Sequence, residues 1–131
     1  MFPRRFESAK HGDHNPFDGP GGTLAHAFLP QQGAISGDIH FDDAESWTVG
    51  DVGDGVDLLQ VAVHEIGHAL GLDHSKDPEA IMYPSYSGYK ADLDLSEDDI
   101  KGIQALYGAP KTNPSQTKPS TSIFECPCLL L

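Results

Sequence analysis

The sequence predicts an α+β fold: a small sheet packed against one buried helix, with a second helix toward the C-terminus. Short alternating stretches are confined to the glycine-rich residues 11–55, whereas apolar patterns of helical period come after them. Strands gathered in one part and helices in another mark α+β rather than an alternating α/β chain. A length of 131 residues, 38% of them hydrophobic, suffices for one modest core.

The strands are read at about 23–28 and 38–42. In Asp38-Ile39-His40-Phe41-Asp42 the polar side chains fall on one face and Ile39 and Phe41 on the other, since alternate strand residues point the same way. The strongest helix runs from Asp57 to Leu70. Leu58, Leu59, Val61, Ala62, Val63, Ile66, Ala69 and Leu70 cover most of its circumference, which places it inside the protein. Asp57 and Gln60 have capping-box spacing at its start, and Gly71 suits its end. A second helix is expected from about Ser96 to Leu106, with Ser96 as cap and Ile100, Ile103 and Leu106 repeating behind it. Residues 1–108 form the domain. The segment 109–131 is a linker and disordered tail rich in Pro, Ser and Thr.

Twenty Asp and Glu face eight Lys and Arg, a formal net charge of −12. A nucleic-acid binder needs a basic face, so that class is excluded. No apolar run is long enough to span a bilayer, which excludes a transmembrane segment. An export signal needs a basic head followed by roughly 7–15 apolar residues, and Met1–Phe6 has only the head. Cys126 and Cys128 are badly spaced both for a staple and for a zinc knuckle. Cys128-Leu129-Leu130-Leu131 fits the loose prenylation pattern, the alternative being a plain chain end.

The seven histidines all precede residue 75 and are mixed with aspartate and glycine, the composition of metal sites. His64-Glu65-Ile66-Gly67-His68 lies well inside the first helix, where positions four apart share a face. Both imidazoles can therefore reach one ion. Gly71 lets the chain turn out of the helix, and His74 swings back as a third ligand. Three neutral nitrogens leave zinc's fourth position open for water. Zinc acidifies that water and polarises a carbonyl, while Glu65 is placed to take the proton as general base. The chemistry implied is amide hydrolysis. The competing reading is a pair of satisfied core histidines.

This pattern, His64-Glu65-x-x-His68-x-x-Gly71-x-x-His74 followed by Met82, resembles the zinc signature and Met-turn of the metzincin proteases. Ser75 and Ala80-Ile81-Met82-Tyr83-Pro84-Ser85-Tyr86 are similar to the matrix metalloproteinases in particular. Further matches at Pro16–Gly22 and Leu95–Gly108 extend the resemblance over about residues 6–108. It implies a secreted-type, extracellular zinc endopeptidase with a small twisted mixed sheet on the active-site helix. Extended peptides and extracellular matrix proteins would be its substrates, and protein inhibitors of metalloproteinases further partners. The family's first two strands and first helix would lie before Met1. The alternative is a metal-binding but catalytically idle variant that holds peptides without cutting them.

Two non-catalytic metal sites are expected. His11, Asp13, His26 and His40 offer three nitrogens and a carboxylate, a closed tetrahedral shell typical of structural zinc, and the resemblance agrees. Scattered surface histidines are the alternative, and His14 has no role. Calcium prefers carboxylates and carbonyls on a glycine-rich turn such as 18–23. By resemblance its ligands are Asp18, Gly19, Gly21, Thr23, Asp42 and Glu45, against a purely structural turn. A second calcium would use Asp38 with the Ala34 and Ser36 carbonyls, although glycine is usual at the latter two positions. Two zinc ions and one calcium would bring six positive charges, taking −12 to about −6.

The resemblance also implies an exposed edge strand at about 22–28, including Leu24 and Ala25, to which a peptide adds by main-chain hydrogen bonds. Pro84-Ser85-Tyr86 would wall an apolar slot for the residue after the cleaved bond. Gln60 matches a floor position that is often leucine, so it would narrow that slot or make it polar, unless it serves only the helix cap.

Overall fold

The computed structural model describes residues 4–30 and 33–111. The Cys128 pattern and nearly all of the expected linker and tail lie outside them. Eight elements follow in order: β1 (Arg4–Glu7), β2 (Ala25–Ala27), a 3₁₀ turn (Gly33–Ile35), β3 (Ile39–Asp42), β4 (Trp47–Thr48), β5 (Val56–Asp57), α1 (Leu58–Ala69) and α2 (Glu97–Tyr107). Both expected strands and both expected helices are present: β2 keeps only the middle of the expected 23–28, β3 loses one residue at its start, α1 loses one at each end, and α2 is shifted one residue toward the C-terminus.

The sheet is mixed, ordered β1-β3-β2, with β1 parallel and β2 antiparallel to β3. β1 went unread because Arg4-Arg5-Phe6-Glu7 carries a single apolar residue, too little for a periodic signal. Its Phe6 stacks on Phe41 at 5.4 Å, and Phe41 meets the Trp47 ring edge at 5.6 Å. The parallel pair β4 and β5 is two residues long, below what alternation can reveal.

Central strand β3 is buried throughout, as a strand covered on both faces must be. Ile39 and Phe41 join Val61 and Ala69 in the core, with Leu24, Ala27, Trp47 and Leu58 packed around them. His40 and Asp42 point the other way, toward polar partners. The alternation read from sequence therefore holds.

α1 lies against β2, β3 and β5. It is not interior all round: Val61, Glu65, Gly67 and Ala69 are buried, but Leu59 is 60% and Ile66 38% exposed. A single sheet covers only one side of a helix, so the opposite apolar side remains open to water. The α2 repeat fares similarly, with Ile100 and Leu106 exposed and only Asp99 buried.

Caps behave as their chemistry dictates. The Asp57 side chain accepts from the Gln60 N–H at 2.8 Å, and Ser96 with Asp99 forms a complete capping box on α2. Past the end of α1, Gly71 has φ 101°, a left-handed conformation that a side chain would strain.

Candidate metal centre

α1 presents His64 and His68 one turn apart, and the turn at Gly71 returns the chain so that His74 faces them. Ring centroids lie 4.7–5.3 Å apart, and one ligand nitrogen from each histidine falls within 4.8 Å of the others. Their opposite nitrogens are engaged. His64 Nδ1 sits 2.7 Å from the Ile81 carbonyl and His68 Nδ1 2.7 Å from the Leu72 carbonyl. A carbonyl can only accept, so both Nδ1 atoms carry hydrogen and both Nε2 lone pairs are left for a metal. Burial pulls both imidazoles below their ordinary pKa, which favours the neutral form that a metal needs.

Glu65 lies between the first two ligands and lines the same cleft. It is only 5% exposed, its Oε2 has no hydrogen-bond partner among the described residues, and burial pushes its carboxyl up to about 7. A carboxylate poised near neutrality beside three metal-ready nitrogens is fitted to exchange protons at working pH.

Met82 is buried against α1, where a Cβ on Gly67 would collide with its sulfur. The Met82 carbonyl accepts from the Ser75 N–H at 2.8 Å, which ties the segment after His74 to this turn.

A second cluster lies on the sheet. His26 and His40 are register partners across β2 and β3, so they share one face. The loop before β2 adds His11 and Asp13, and Asp13 Oδ2 lies 2.7, 2.7 and 2.8 Å from His11 Nε2, His26 Nε2 and His40 Nδ1. The four residues place one ligand atom each within 4.8 Å of the rest. Burial lowers the His26 pKa. Although burial opposes it, the Asn15 N–H and the imidazoles hold Asp13 well below the ordinary carboxylate range. One carboxylate shared by three imidazoles is the donor set of a cation site. His14 is exposed with φ 72° and stands outside it.

The carboxylates expected to bind calcium are brought to one glycine-rich turn, where backbone N–H groups hold them. Asp42 is fully buried and accepts from Gly19 N–H, Glu45 accepts from Gly21 N–H, and Asp18 accepts from Thr23 N–H. Gly22 must be glycine there, because a Cβ would strike the Asp18 carboxylate. Among the described residues these three carboxylates do not converge as the histidine clusters do. Asp38 is buried, and no such cluster includes it.

A cleft of about 940 Å³ runs past the three histidines, bounded by 22–27 on one side and 83–87 on the other. Leu24, Ala25, Gln60, Pro84 and Tyr86 all line it. Tyr86 is held by its hydroxyl, which accepts from the Asp57 N–H at 2.9 Å, and Gln60 Oε1 is buried without a partner among the described residues. Lys90, which sequence reading passed over, lines the cleft as well.

Fold and site together define a zinc-protease domain of the metzincin kind: a mixed sheet, a helix carrying two histidines and a glutamate, a third histidine after a glycine turn, and a methionine packed against that helix. The family model for matrixins matches residues 4–108, and the chain belongs to that family. It is 59% identical over 108 residues to human matrix metalloproteinase-20, covering 81% of this chain and 22% of that protein. It is 53% identical over 120 residues to rat matrix metalloproteinase-16, 90% of this chain and 20% of the relative. Rat macrophage metalloelastase shares 55% over 117 residues, 88% of this chain and 24% of the relative. The chain thus spans about a fifth to a quarter of the length of these relatives. Family members are zinc metalloendopeptidases. No helix among the described residues is long and apolar enough to cross a membrane.

Proposed function

We propose that the chain hydrolyses peptide bonds of extracellular matrix or other extracellular proteins, with zinc held by His64, His68 and His74. The carrying observation is Glu65: a buried carboxylate with a free oxygen and a pKa raised to about 7, set between two histidines whose Nε2 atoms are unengaged. Zinc, when bound, supplies a Lewis acid that polarises the substrate carbonyl and acidifies water. Glu65 takes a proton from the attacking water and returns it to the leaving amine. β2 is an outer strand of the sheet, so its free edge accepts an extended peptide by main-chain pairing, with Leu24 and Ala25 contacting it. Tyr86 and Pro84 wall the slot for the residue after the cleaved bond, and Gln60 with Lys90 makes that cleft more polar than an all-aliphatic one. An extracellular location and capture by protein inhibitors of metalloproteinases belong to this reading.

His11, Asp13, His26 and His40 are assigned to a second, structural zinc. Asp18, Asp42 and Glu45, with the carbonyls of Gly19, Gly21 and Thr23, are assigned to calcium, and Asp38 to a possible second calcium site. Support comes from the donor chemistry at each place.

The test is to refold the chain with zinc and calcium and supply an internally quenched peptide carrying Gly-Leu at the scissile bond. Cleavage abolished by a chelator and by Glu65→Ala is expected. A folded, zinc-loaded chain that leaves the peptide intact would refute the protease reading. That outcome would favour a second reading, a domain that holds peptides without cutting them, for which the open apolar side of α1 at Leu59 and Ile66 speaks.

A further inference from the structure

The Asp99 carboxylate is 3% exposed and does more than cap its own helix. Oδ2 accepts from the Ser96 N–H at 2.9 Å, closing the capping box, and from the Ile81 N–H at 2.8 Å. Oδ1 accepts from the Met82 N–H at 3.1 Å. The residue whose N–H is gripped, Ile81, is also the one whose carbonyl receives His64 Nδ1 at 2.7 Å. A continuous line of hydrogen bonds therefore runs from the α2 N-terminus through one residue of the Met82 turn to a metal ligand on α1.

We propose that Asp99 is a positioning residue of the metal centre: by holding the Ile81–Met82 segment it places the Ile81 carbonyl, and so selects the Nδ1–H tautomer and ring orientation of His64. This rests on the reading of His64, His68 and His74 as zinc ligands. Ile81 accepts and donates at once, so moving one bond moves the other. Neutral histidine has two tautomers, and only the one with hydrogen on Nδ1 presents Nε2 to the ion. Losing an outer partner of this kind weakens metal binding by about tenfold to a hundredfold.

The test compares Asp99→Asn with Ser96→Ala in the full chain. Asp99→Asn turns an NH₂ or loses an acceptor toward the Ile81 and Ser96 N–H groups. Ser96→Ala removes the hydroxyl that accepts from the Asp99 N–H at 3.2 Å and leaves the carboxylate in place. Both weaken the α2 cap, so both lower the melting temperature. Only Asp99→Asn is expected to weaken zinc binding by about tenfold or more in chelator competition. In metal-free protein, ¹⁵N spectra should show a single Nδ1–H tautomer at His64 for the parent and for Ser96→Ala, and a mixture for Asp99→Asn. Equal zinc affinity and an unchanged His64 tautomer in Asp99→Asn would overturn the proposal. If Asp99→Asn does not fold, the parent decides. The Ile81 and Met82 amides must then resist hydrogen exchange as long as Ser96 does, and free exchange overturns the idea. Failure of the parent to bind zinc would sink the metal reading, while the tautomer and exchange measurements still judge Asp99.

Discussion

Gly67→Ala tests how tightly α1 is locked to the turn beneath it. In an ordinary helix interior alanine is favoured over glycine by about 1 kcal/mol. Here the added Cβ would collide with the Met82 sulfur, lie 3.1 Å from its Cε and touch Leu72 Cδ1 at 3.6 Å. Met82 has little room to yield: it is 3% exposed, its N–H is held by Asp99 and its carbonyl by the Ser75 N–H. Overpacking of that kind costs about 1–3 kcal/mol. Set against the propensity gain, the net loss is about 1 kcal/mol, which lowers Tm by about 4–8 °C in a domain of this size. Relief that shifts the Met82 turn would move the Ile81 carbonyl bound to His64, so zinc affinity should fall as well. Thermal melts with and without zinc, followed by chelator competition, read both effects. A variant that melts higher than the parent and binds zinc equally well would refute the locking argument.

Four other outcomes follow from the same geometry. Glu65 has a folded pKa of about 7 against 4.5 for the free group, so the folded state holds its proton longer and loses stability as pH rises from 4.5 to 7. In metal-free protein the stability of the parent minus that of Glu65→Gln should decline across that window by about 3 kcal/mol, as urea titrations at several pH values would show. His26, His64 and His68 act oppositely: their lowered pKa values make metal-free protein lose stability as pH falls below 6.5, measurable as an acid-side drop in Tm. Asp13→Ala should abolish binding of one zinc equivalent and loosen β2 against β3, seen as faster amide exchange at His26 and His40. Gln60→Leu should shift peptide preference toward large aliphatic residues after the scissile bond; a change in stability alone would reduce Gln60 to a helix-cap residue.

The helix carrying His64 and His68 was legible because its information is local. His64 and His68 at a spacing of four, glycine at 71 and a cap at 57 depend only on helix geometry. The face carrying His40 was legible for the same reason, through strand alternation. β1, β4 and β5 escaped notice because two to four residues contain no period, and their existence depends on a neighbour to pair with. The exposure of Leu59 and Ile66 was also misread, since an apolar pattern states what a helix could bury but not how much of it a given sheet covers.

Residue identity and short-range spacing determined which groups could ligate metal and which glutamate could move protons. Only the tertiary structure decided their state. It engaged His64 Nδ1 with a carbonyl 17 residues away, buried the Glu65 Oε2 without a partner among the described residues, and paired His26 with His40. It also turned Asp99, which in sequence is one more acidic residue at a helix start, toward N–H groups 17 and 18 residues distant. Ligand type is a property of a side chain, whereas tautomer, desolvation and orientation belong to what packs around it. Those surroundings come from segments that sequence spacing does not connect.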